Sequence, residues 1–326
     1  MGISLENNQH RMHTGRFAPS PSGRMHLGNV YAALMSWLYA RAQGGRWLIR
    51  IEDLDAMRCP RHFADEIIDD LHWLGLDSDG EILYQSERAD IYLDAFNVLK
   101  NKGLVYDCFC SRADLRASSA PHSSDGTPIY PGTCRLLTSE QKAELLKTRR
   151  PSQRVHLPDD FSEFNDLTYG VQRCNLLRDC GDFVVRRADG VFAYQLAVTV
   201  DDALSGVTEV VRGCDLMPSA HLQIFLYKQL GYNVPDFRHL PLLTAPDGRR
   251  LSKRDDDANI SALRATHTPN QVLGIIMHAA GKCPEGAELS LDDCLQLVVA
   301  DCKNIKLRGL ICKFCKINLW NFEICA

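Results

Sequence analysis

The chain has 326 residues, of which 45% are hydrophobic and 24% charged, with a formal net charge of −4. This composition predicts a globular protein of about two domains that does not bind polyanions through its overall charge. Because no apolar run approaches the roughly 20 residues of a membrane helix and the polar N-terminus lacks the apolar core of a secretory signal, we expect a cytoplasmic protein with no membrane partner.

The first hundred residues predict alternating strands and helices. After an extension over residues 1–15, apolar residues at a spacing of three to four mark helices, and short apolar runs mark strands. The expected elements are a strand at Arg16–Ala18, a helix at Leu27–Gln43, a strand at Arg46–Glu52, a helix from Arg61 to about Gly75, a strand at Ile82–Ser86 and a helix ending at Gly103. This alternation predicts the α/β fold class with a doubly wound parallel (Rossmann-type) sheet.

The alternation is interrupted over residues 108–180, where the turn-rich stretch "SSAPHSSDGTPIYPG" precedes scattered polar residues. We expect an insertion with its own small fold between two halves of a catalytic domain, residues 16–107 and 181–257. The second half predicts a hairpin-like pair, a helix near Gln195–Leu204, a strand at Val207–Arg212, a helix from Pro218 to Gly231 and a strand at Phe237–Leu243. Residues 258–326 predict a helical C-terminal part.

The stretch "RFAPSPSGRMHLGN", from Arg16 to Asn29, places a rigid proline- and serine-rich turn directly before a helix. A helix start exposes free N–H groups and a partial positive charge, and glycines such as Gly23 and Gly28 let a ligand approach the backbone. His26 would add a hydrogen bond to a phosphoryl oxygen. The stretch therefore predicts a phosphate site, with a structural histidine in a capped loop as the alternative.

A second stretch, "PDGRRLSKRDDD" from Pro246 to Asp257, is a basic, glycine-containing loop after a predicted strand. A flexible cation such as Lys253 suits a reaction in which charge on a phosphate is neutralised only as it develops. The alternative is a solvated charged loop. Taken alone, neither stretch identifies an activity.

Together the two stretches resemble the two signatures of the class I aminoacyl-tRNA synthetases, the second being a KMSKS-like loop in which Arg250 stands at the position of the first lysine. "IEDLD", from Ile51 to Asp55, and "YQLAVTVDDALSGVTEVVRGCDL", from Tyr194 to Leu216, are similar to the glutamyl branch of that family. The resemblance extends in order from Arg16 to Asp257.

This resemblance implies a site for glutamate and ATP. It assigns the guanidinium groups of Arg16 and Arg212 to carboxylates, with Arg212 on the side-chain carboxylate, and Glu52 to the ammonium group. The other implied glutamate residues are Tyr194, which supplies a hydroxyl and an apolar wall, and Phe17, Ala18, Pro19 and Ser20. The implied ATP residues are His26, Gly28, Asn29, Arg250, Leu251, Ser252, Lys253 and Arg254, of which His26 and Lys253 are the catalytic candidates. Taken alone, each arginine is as readily part of a structural ion pair.

The insertion contains Cys108, Cys110 and Cys134. The whole chain has 13 cysteines, an odd number that without a signal peptide favours reduced thiols and metal ligands over disulfides. Three thiolates around a proline–glycine turn predict one structural Zn²⁺ site, which needs a fourth ligand. His122 is the more common ligand type, whereas the resemblance favours Tyr130. Unliganded buried cysteines are the alternative to a metal site.

About seventy residues follow the second signature, too few for the large helical anticodon-binding region of a full glutamyl-tRNA synthetase. The chain is thus similar to short paralogues of that enzyme. This implies that a monomer activates L-glutamate with ATP and Mg²⁺ without tRNA, and transfers it to the queuosine base in the anticodon of tRNA(Asp). The alternatives are a truncated glutamyl-tRNA synthetase that charges the 3′ end and a non-catalytic tRNA-binding paralogue.

Overall fold

A computed structural model of the protein describes residues 12–111, 113–114, 129–243 and 259–308, with side chains described to residue 300. The strands are β1 Thr14–Phe17, β2 Arg46–Ile51, β3 Leu83–Tyr84, β4 Val105–Cys108, β5 Ser152–Val155, β6 Phe161–Asp166, β7 Gly170–Asn175, β8 Phe183–Arg186, β9 Glu209–Gly213 and β10 Asp236–Leu240. The helices are α1 Leu27–Ala42, α2 Arg61–Trp73, α3 Ala89–Asn101, α4 Ser139–Leu146, α5 Tyr194–Leu204, α6 Met217–Leu230, α7 Ile260–Thr266, α8 Pro269–Ala279 and α9 Leu291–Arg308.

The central sheet is parallel and doubly wound, which confirms the predicted fold class. Strands β1, β2 and β3 pair in that order, and β9 pairs in parallel with β10. The two sets lie side by side, because the backbone N–H of Thr208, just before β9, donates to the carbonyl oxygen of Thr14 in β1 at 2.9 Å. The order β3–β2–β1–β9–β10 reverses direction at β1, and ligands of such sheets bind beside the carboxyl ends of the strands at that point.

The hairpin β6–β7 extends the same sheet, which differs from the expectation for residues 108–180. Strand β10 pairs in parallel with β6 through Phe237 and Asp166, and β6 pairs antiparallel with β7. Only β4, β5 and β8 form a separate antiparallel sheet, and β4 already begins at Val105. The hairpin has one exposed face, so its residues alternate between polar and apolar, and sequence cannot show which sheet such short strands join.

The first strand begins at Thr14, so Thr14 and Gly15 belong to the sheet and not to the expected extension. All four residues of β1 are buried. The sequence pattern does not show the start of this strand, because Gly15 contributes no side chain to the apolar pattern. It also allows close packing, because a Cβ at Gly15 would lie 3.1 Å from Cβ of Ala40 in α1.

Helix α1 lies at the centre of the largest hydrophobic cluster, where its buried side chains pack against β1, β2 and α2 on one side and α8 and α9 on the other. A second cluster joins α3, α5, α6 and β8. Both clusters hold the carboxyl ends of β1, β2 and β9 at a common edge. Among the described residues, no helix combines the length and apolarity that spanning a membrane requires.

Candidate active site

A cavity of about 470 Å³ opens at the carboxyl ends of β1, β2, β9 and β10. Its walls include every predicted glutamate and ATP residue that the structure describes. These residues are Arg16, Phe17, Ala18, Pro19, Ser20, His26, Gly28, Asn29, Glu52, Tyr194 and Arg212. They come from segments up to 196 residues apart, so the fold brings together what the sequence predicts only as separate stretches.

The loop after β1 leads directly to the start of α1. The backbone N–H of Glu52 donates to the carbonyl oxygen of Pro19 at 2.9 Å, which fastens the loop to the end of β2. His26 caps the helix: its Nδ1 accepts from the N–H of Gly28 at 3.1 Å, while Oδ1 of Asn29 accepts from the N–H of His26 at 3.2 Å. A Cβ at Gly28 would lie 2.9 Å from the His26 ring, so only glycine leaves room for this cap.

His26 thus takes the structural role considered for it through Nδ1. Because Nδ1 accepts a hydrogen bond, the proton of the neutral ring lies on Nε2. The N–H groups of Gly28, Asn29 and Val30 donate to His26 and are therefore already engaged. The start of α1 faces the same cavity, and its partial positive charge suits an anionic ligand.

Residues Arg250, Leu251, Ser252, Lys253 and Arg254 lie outside the described residues, as does His122. The residues on either side of the basic loop are described. Leu243 lines the cavity, and Asn259 forms an antiparallel bridge with His26. The N–H of Ile260 also donates to the carbonyl oxygen of Met25 at 3.2 Å. Leu243 and Asn259, the described residues nearest to the basic loop, thus lie at the cavity and at the helix start.

At one end of the cavity Arg16 is already paired. Its Nε lies 3.1 Å from Oδ1 of Asp202, and Nη1 of Arg50 lies 2.5 Å from the same oxygen. Burial raises the pKa of Asp202, but the two arginines outweigh it and the pKa is lowered. Asp202 is therefore ionised and neutralises much of the charge of Arg16.

Glu52 continues this network. Its Oε1 lies 3.1 Å from Nη2 of Arg50, and its side chain is 8% exposed. Burial raises the pKa of Glu52 more than Arg50 lowers it. Burial lowers the pKa of Arg50, but Asp202, Glu52 and Asp201 outweigh it, so Arg50 stays charged. A second cation in the cavity would therefore stabilise the ionised form of Glu52.

At the other end Arg212 has no ion pair with any carboxylate among the residues described. Its Nη1 donates to Oε1 of Gln223 at 2.9 Å, and Nη2 donates to the carbonyl oxygen of Leu216 at 3.2 Å. The hydroxyl of Tyr194 lies 3.5 Å from Nη1. Arg212 is 5% exposed, and burial lowers its pKa. A buried cation supported only by neutral groups favours an anionic ligand.

Sequence reasoning missed four residues that shape this cavity: Arg50, Asp202, His239 and Gln223. A signal existed for Asp202, because two adjacent aspartates interrupt an otherwise apolar helix, α5, and both are buried. Arg50 lies in a strand of apolar residues, which is a weaker signal. His239 and Gln223 carry none, because each looks like an ordinary polar position.

A larger cavity of about 1270 Å³ adjoins the first one, and both are lined by Ser20, Ser22, Glu52 and Tyr194. Its outer wall carries the exposed arginines Arg58, Arg149 and Arg150. It reaches the cysteine-containing sheet, because Cys108 and Cys110 also line it. The larger cavity therefore connects the predicted glutamate site with a basic surface.

Cys108, Cys110 and Cys134 form a cluster that could hold a metal ion, since their sulfur atoms lie within 4.8 Å of one another. The sulfurs of Cys110 and Cys134 are 3.5 Å apart, close to the roughly 3.8 Å that tetrahedral Zn–S bonds of about 2.3 Å require. The Tyr130 hydroxyl lies 4.0 Å from the Cys110 sulfur. Gly132, at a φ of 80°, makes the turn that returns the chain to Cys134. These donors fit zinc.

This architecture is that of a catalytic domain of the class I synthetase type: a parallel sheet, a helix start beside its edge and two buried arginines in the cavity there. In agreement, residues 12–291 match the family model described as tRNA synthetases class I (E and Q), catalytic domain. The chain is therefore an enzyme of the aminoacyl-tRNA ligase class.

Curated relatives narrow this class. The chain is 50% identical to the glutamyl-Q tRNA(Asp) synthetase of Symbiobacterium thermophilum over 281 residues, which cover 82% of this chain and 86% of that protein. It is 47% identical to the enzyme of the same name from Geobacter sulfurreducens, with 85% and 86% covered. The chain belongs to the family of the glutamyl-Q tRNA(Asp) synthetases.

A solved structure supports the same fold. The glutamate-tRNA synthetase of Elizabethkingia anophelis superposes with a TM-score of 0.73 at 28% identity, covering 87% of this chain. The chain spans 65% of the length of that protein.

Proposed function

We propose that this enzyme activates L-glutamate with ATP to glutamyl-adenylate without tRNA, and then transfers the glutamate to the queuosine base in the anticodon of tRNA(Asp). One observation carries the choice of glutamate: Arg212 is a buried guanidinium in the cavity that forms no ion pair with a carboxylate of the described residues. The names of the curated relatives support the acceptor.

In this proposal the two ends of the cavity bind the two ends of glutamate. Arg212 binds the side-chain carboxylate through its terminal nitrogens, and Tyr194 provides a hydroxyl and an apolar wall beside it. Glu52 binds the ammonium group, because it is buried and its ion pair among the described residues is with a single arginine, Arg50. Arg16 lies nearer the α-carboxylate, and the loop residues Phe17, Ala18, Pro19 and Ser20 line the site of the adenylate.

The activation step needs positioning and charge stabilisation more than covalent catalysis. An oxygen of the α-carboxylate attacks the α-phosphorus of ATP, the bond to the bridging oxygen breaks and pyrophosphate leaves. His26, Gly28 and Asn29 at the start of α1 would bind phosphate oxygens, and Nε2–H of His26 would donate to one of them. Lys253, with Arg250, Leu251, Ser252 and Arg254, would stabilise the charge on the departing pyrophosphate.

Two cations complete the proposal. Mg²⁺ would accompany ATP and shield its phosphates. Zn²⁺ bound by Cys108, Cys110, Cys134 and Tyr130 would stabilise the small buried cluster that Cys108, Tyr130 and Cys134 form with Phe109 at the end of β4. We further propose a cytoplasmic monomer with the domain division expected from sequence, apart from the hairpin β6–β7.

The larger cavity offers the acceptor a route to the adenylate. It shares Ser20 and Glu52 with the glutamate site, and its arginines Arg58, Arg149 and Arg150 would contact RNA phosphates. A hydroxyl group of the queuosine base entering there would lose its proton and attack the activated carbonyl carbon, and the bond between that carbon and the phosphate oxygen would break, so that AMP leaves.

The test uses purified enzyme, ATP, Mg²⁺ and labelled glutamate with two preparations of tRNA(Asp), one containing queuosine and one lacking it. We expect glutamate-dependent ATP–pyrophosphate exchange without tRNA, and label on the queuosine-containing tRNA alone. Removal of the 3′-terminal adenosine provides the control, since it prevents charging at that end and leaves the anticodon unchanged.

Each other outcome identifies a different protein. Label that disappears after removal of the 3′-terminal adenosine would indicate a truncated glutamyl-tRNA synthetase. Exchange without transfer to either tRNA would contradict the proposed acceptor. No exchange at all, with tRNA binding intact, would indicate a non-catalytic paralogue.

A further inference from the structure

Three buried side chains from three strands form a chain of hydrogen bonds that ends at Arg212. Nε of Arg212 on β9 donates to Nε2 of His239 on β10 at 3.1 Å. Nδ1 of His239 lies 2.6 Å from Oδ2 of Asp166 on β6. The exposed fractions of Asp166 and His239 are 1% and 0%. Neither residue has a part in the proposed reaction so far.

The direction of these hydrogen bonds follows from chemistry. Nε of an arginine carries a proton, so Nε2 of His239 must accept it, and the ring proton lies on Nδ1, which donates to Asp166. Burial lowers the pKa of His239 more than Asp166 raises it, which keeps the ring neutral. Asp166 is itself held by the backbone, because its Oδ1 accepts from the N–H groups of Thr168 and Tyr169 at 2.9 Å each.

We infer that His239 and Asp166 are positioning residues, which hold the guanidinium of Arg212 with its terminal nitrogens available to the substrate and with no carboxylate in direct contact. This inference rests on the proposed function, since it takes the side-chain carboxylate of glutamate as the ligand of Arg212. The hairpin β6–β7 is then part of the active-site support, because it supplies Asp166.

The donors of Arg212 leave room for one carboxylate. Its five N–H bonds are distributed as one on Nε and two on each terminal nitrogen. His239 takes the first, while Gln223 and the Leu216 carbonyl take one from each terminal nitrogen. One N–H remains on each terminal nitrogen, apart from the long contact with Tyr194. Two parallel N–H groups match the two oxygens of a carboxylate.

Because His239 is neutral, the two remaining N–H groups of Arg212 favour a charged carboxylate over a neutral group. A carboxylate in the place of His239 would neutralise Arg212, and the cavity would then tolerate a carboxamide. With the imidazole of His239 in this position, the ring separates the carboxylate of Asp166 from Arg212, and Arg212 has no direct ion pair with it. A carboxamide also turns its NH₂ group toward one of the two N–H donors and leaves that donor unsatisfied. We therefore expect His239 to contribute to the preference for glutamate over glutamine.

Two matched substitutions separate the two hydrogen bonds of His239, one with Arg212 and one with Asp166. His239→Gln places an amide near the position of Nε2 and retains an acceptor for Nε of Arg212. His239→Asn places an amide near Nδ1, retains a donor to Asp166 and loses the acceptor for Arg212. Both variants have similar polarity, so a purely structural role would affect them alike.

The measurement is ATP–pyrophosphate exchange with varied glutamate, varied glutamine and varied ATP, together with calorimetric glutamate binding and the melting temperature. We expect His239→Asn to raise KM for glutamate at least about 10-fold and to narrow the preference over glutamine, with KM for ATP unchanged. His239→Gln should stay within about 3-fold of the unaltered enzyme for all substrates.

Asp166 is tested in the same way with Asp166→Asn and Asp166→Leu. Asparagine keeps only one of the two acceptor oxygens that Asp166 uses, so we expect a rise in KM for glutamate that is smaller than that of the leucine variant. Leucine releases the ring and should reproduce the defect of His239→Asn. Melting temperatures identify a loss that comes from unfolding.

Several outcomes would overturn the inference. Equal defects in His239→Gln and His239→Asn, or none in either, would show that the acceptor for Arg212 is irrelevant. Folded unaltered enzyme that binds glutamate without exchange, with binding in the expected order among the variants, would refute the proposed activity and keep the positioning role. Absence of glutamate binding to the unaltered enzyme would refute both.

Discussion

The two ends of the glutamate cavity contain arginines of nearly equal burial but opposite electrostatic surroundings. Arg16 and Arg212 are 4% and 5% exposed. Arg16 contacts Asp202, which it shares with Arg50, whereas Arg212 contacts an imidazole, an amide and a carbonyl oxygen. The residue type alone therefore does not decide what an arginine binds. The charge of its neighbours decides it.

The difference has an energetic consequence. A buried charge without a charged partner costs several kcal/mol, and that cost is recovered only when an anion binds. In the protein without ligand, the ion pairs at the Arg16 end contribute to stability. The buried charge of Arg212 lowers stability, and this cost is recovered when an anion binds. Substitutions at the two ends should therefore act on different measurements.

The largest expected effect is that of Arg212→Met on activity. Without the guanidinium, the side-chain carboxylate would enter an uncharged site, and we expect kcat/KM for glutamate to fall by about 10³-fold. The urea midpoint should stay the same or rise, because the substitution also removes an uncompensated buried cation. A falling midpoint with retained activity would contradict the comparison. Arg212→Lys, which keeps the charge without the fork, should be intermediate.

The second effect is that of Asp202→Asn on stability. It leaves Arg16 without a carboxylate and deprives Arg50 of its shortest ion pair, so we expect a loss of about 3–5 kcal/mol in the free energy of unfolding. Urea unfolding measures this loss. Glu144→Gln is the control, because Glu144 pairs with Lys147 at the exposed surface and its loss should leave stability unchanged. Equal losses in both variants would contradict the assigned role of the Arg16 end.

The third prediction concerns pH at Glu52, which lies at the Arg16 end. Because the pKa of Glu52 is raised by burial, the carboxylate that binds ammonium is lost earlier on acidification than in an exposed glutamate. We expect KM for glutamate to rise on acidification already at pH values above the ordinary glutamate pKa of about 4.3. Glu52→Gln should show a higher KM that no longer depends on pH over this range.

The sign for stability is opposite to the usual case of a carboxylate. An acid with a raised pKa in the folded state contributes its stability below the pKa of the unfolded state and loses it as pH rises through the folded pKa. Glu52→Gln should therefore be no less stable than the unaltered enzyme at neutral pH. A KM for ATP that follows the same pH curve would indicate a cause other than Glu52.

The smallest effect on the cavity is expected from the cysteine cluster. Removal of metal with a chelator should release about one Zn²⁺ per chain and lower the melting temperature, because the small sheet lacks a large core of its own. KM for glutamate should remain unchanged, since neither Arg16 nor Arg212 contacts these residues. Cys110→Ser should reproduce the loss of stability. Unchanged melting and no released metal would contradict the zinc site.

Much of the fold was predictable from local patterns. The spacing of apolar residues in α1, the glycines that end the helices and the alternation with short strands gave the parallel sheet correctly. The sequence pattern predicts the hairpin β6–β7 as part of the insertion. The structure pairs it with β10, and this pairing depends on residues more than 70 positions away. No local pattern contains that information.

For the site, the sequence by itself determined which side chains are available: the loop from Arg16 to Asn29, Glu52, Tyr194 and Arg212, and the cysteines with their glycine turn. Only the tertiary structure decided their electrostatic states. Asp202 reaches Arg16 across 186 positions of the chain, and His239 keeps Arg212 uncompensated from a neighbouring strand. Electrostatic interactions act over a few ångströms of space and not along the chain, so the charge available to a ligand is a property of the folded protein.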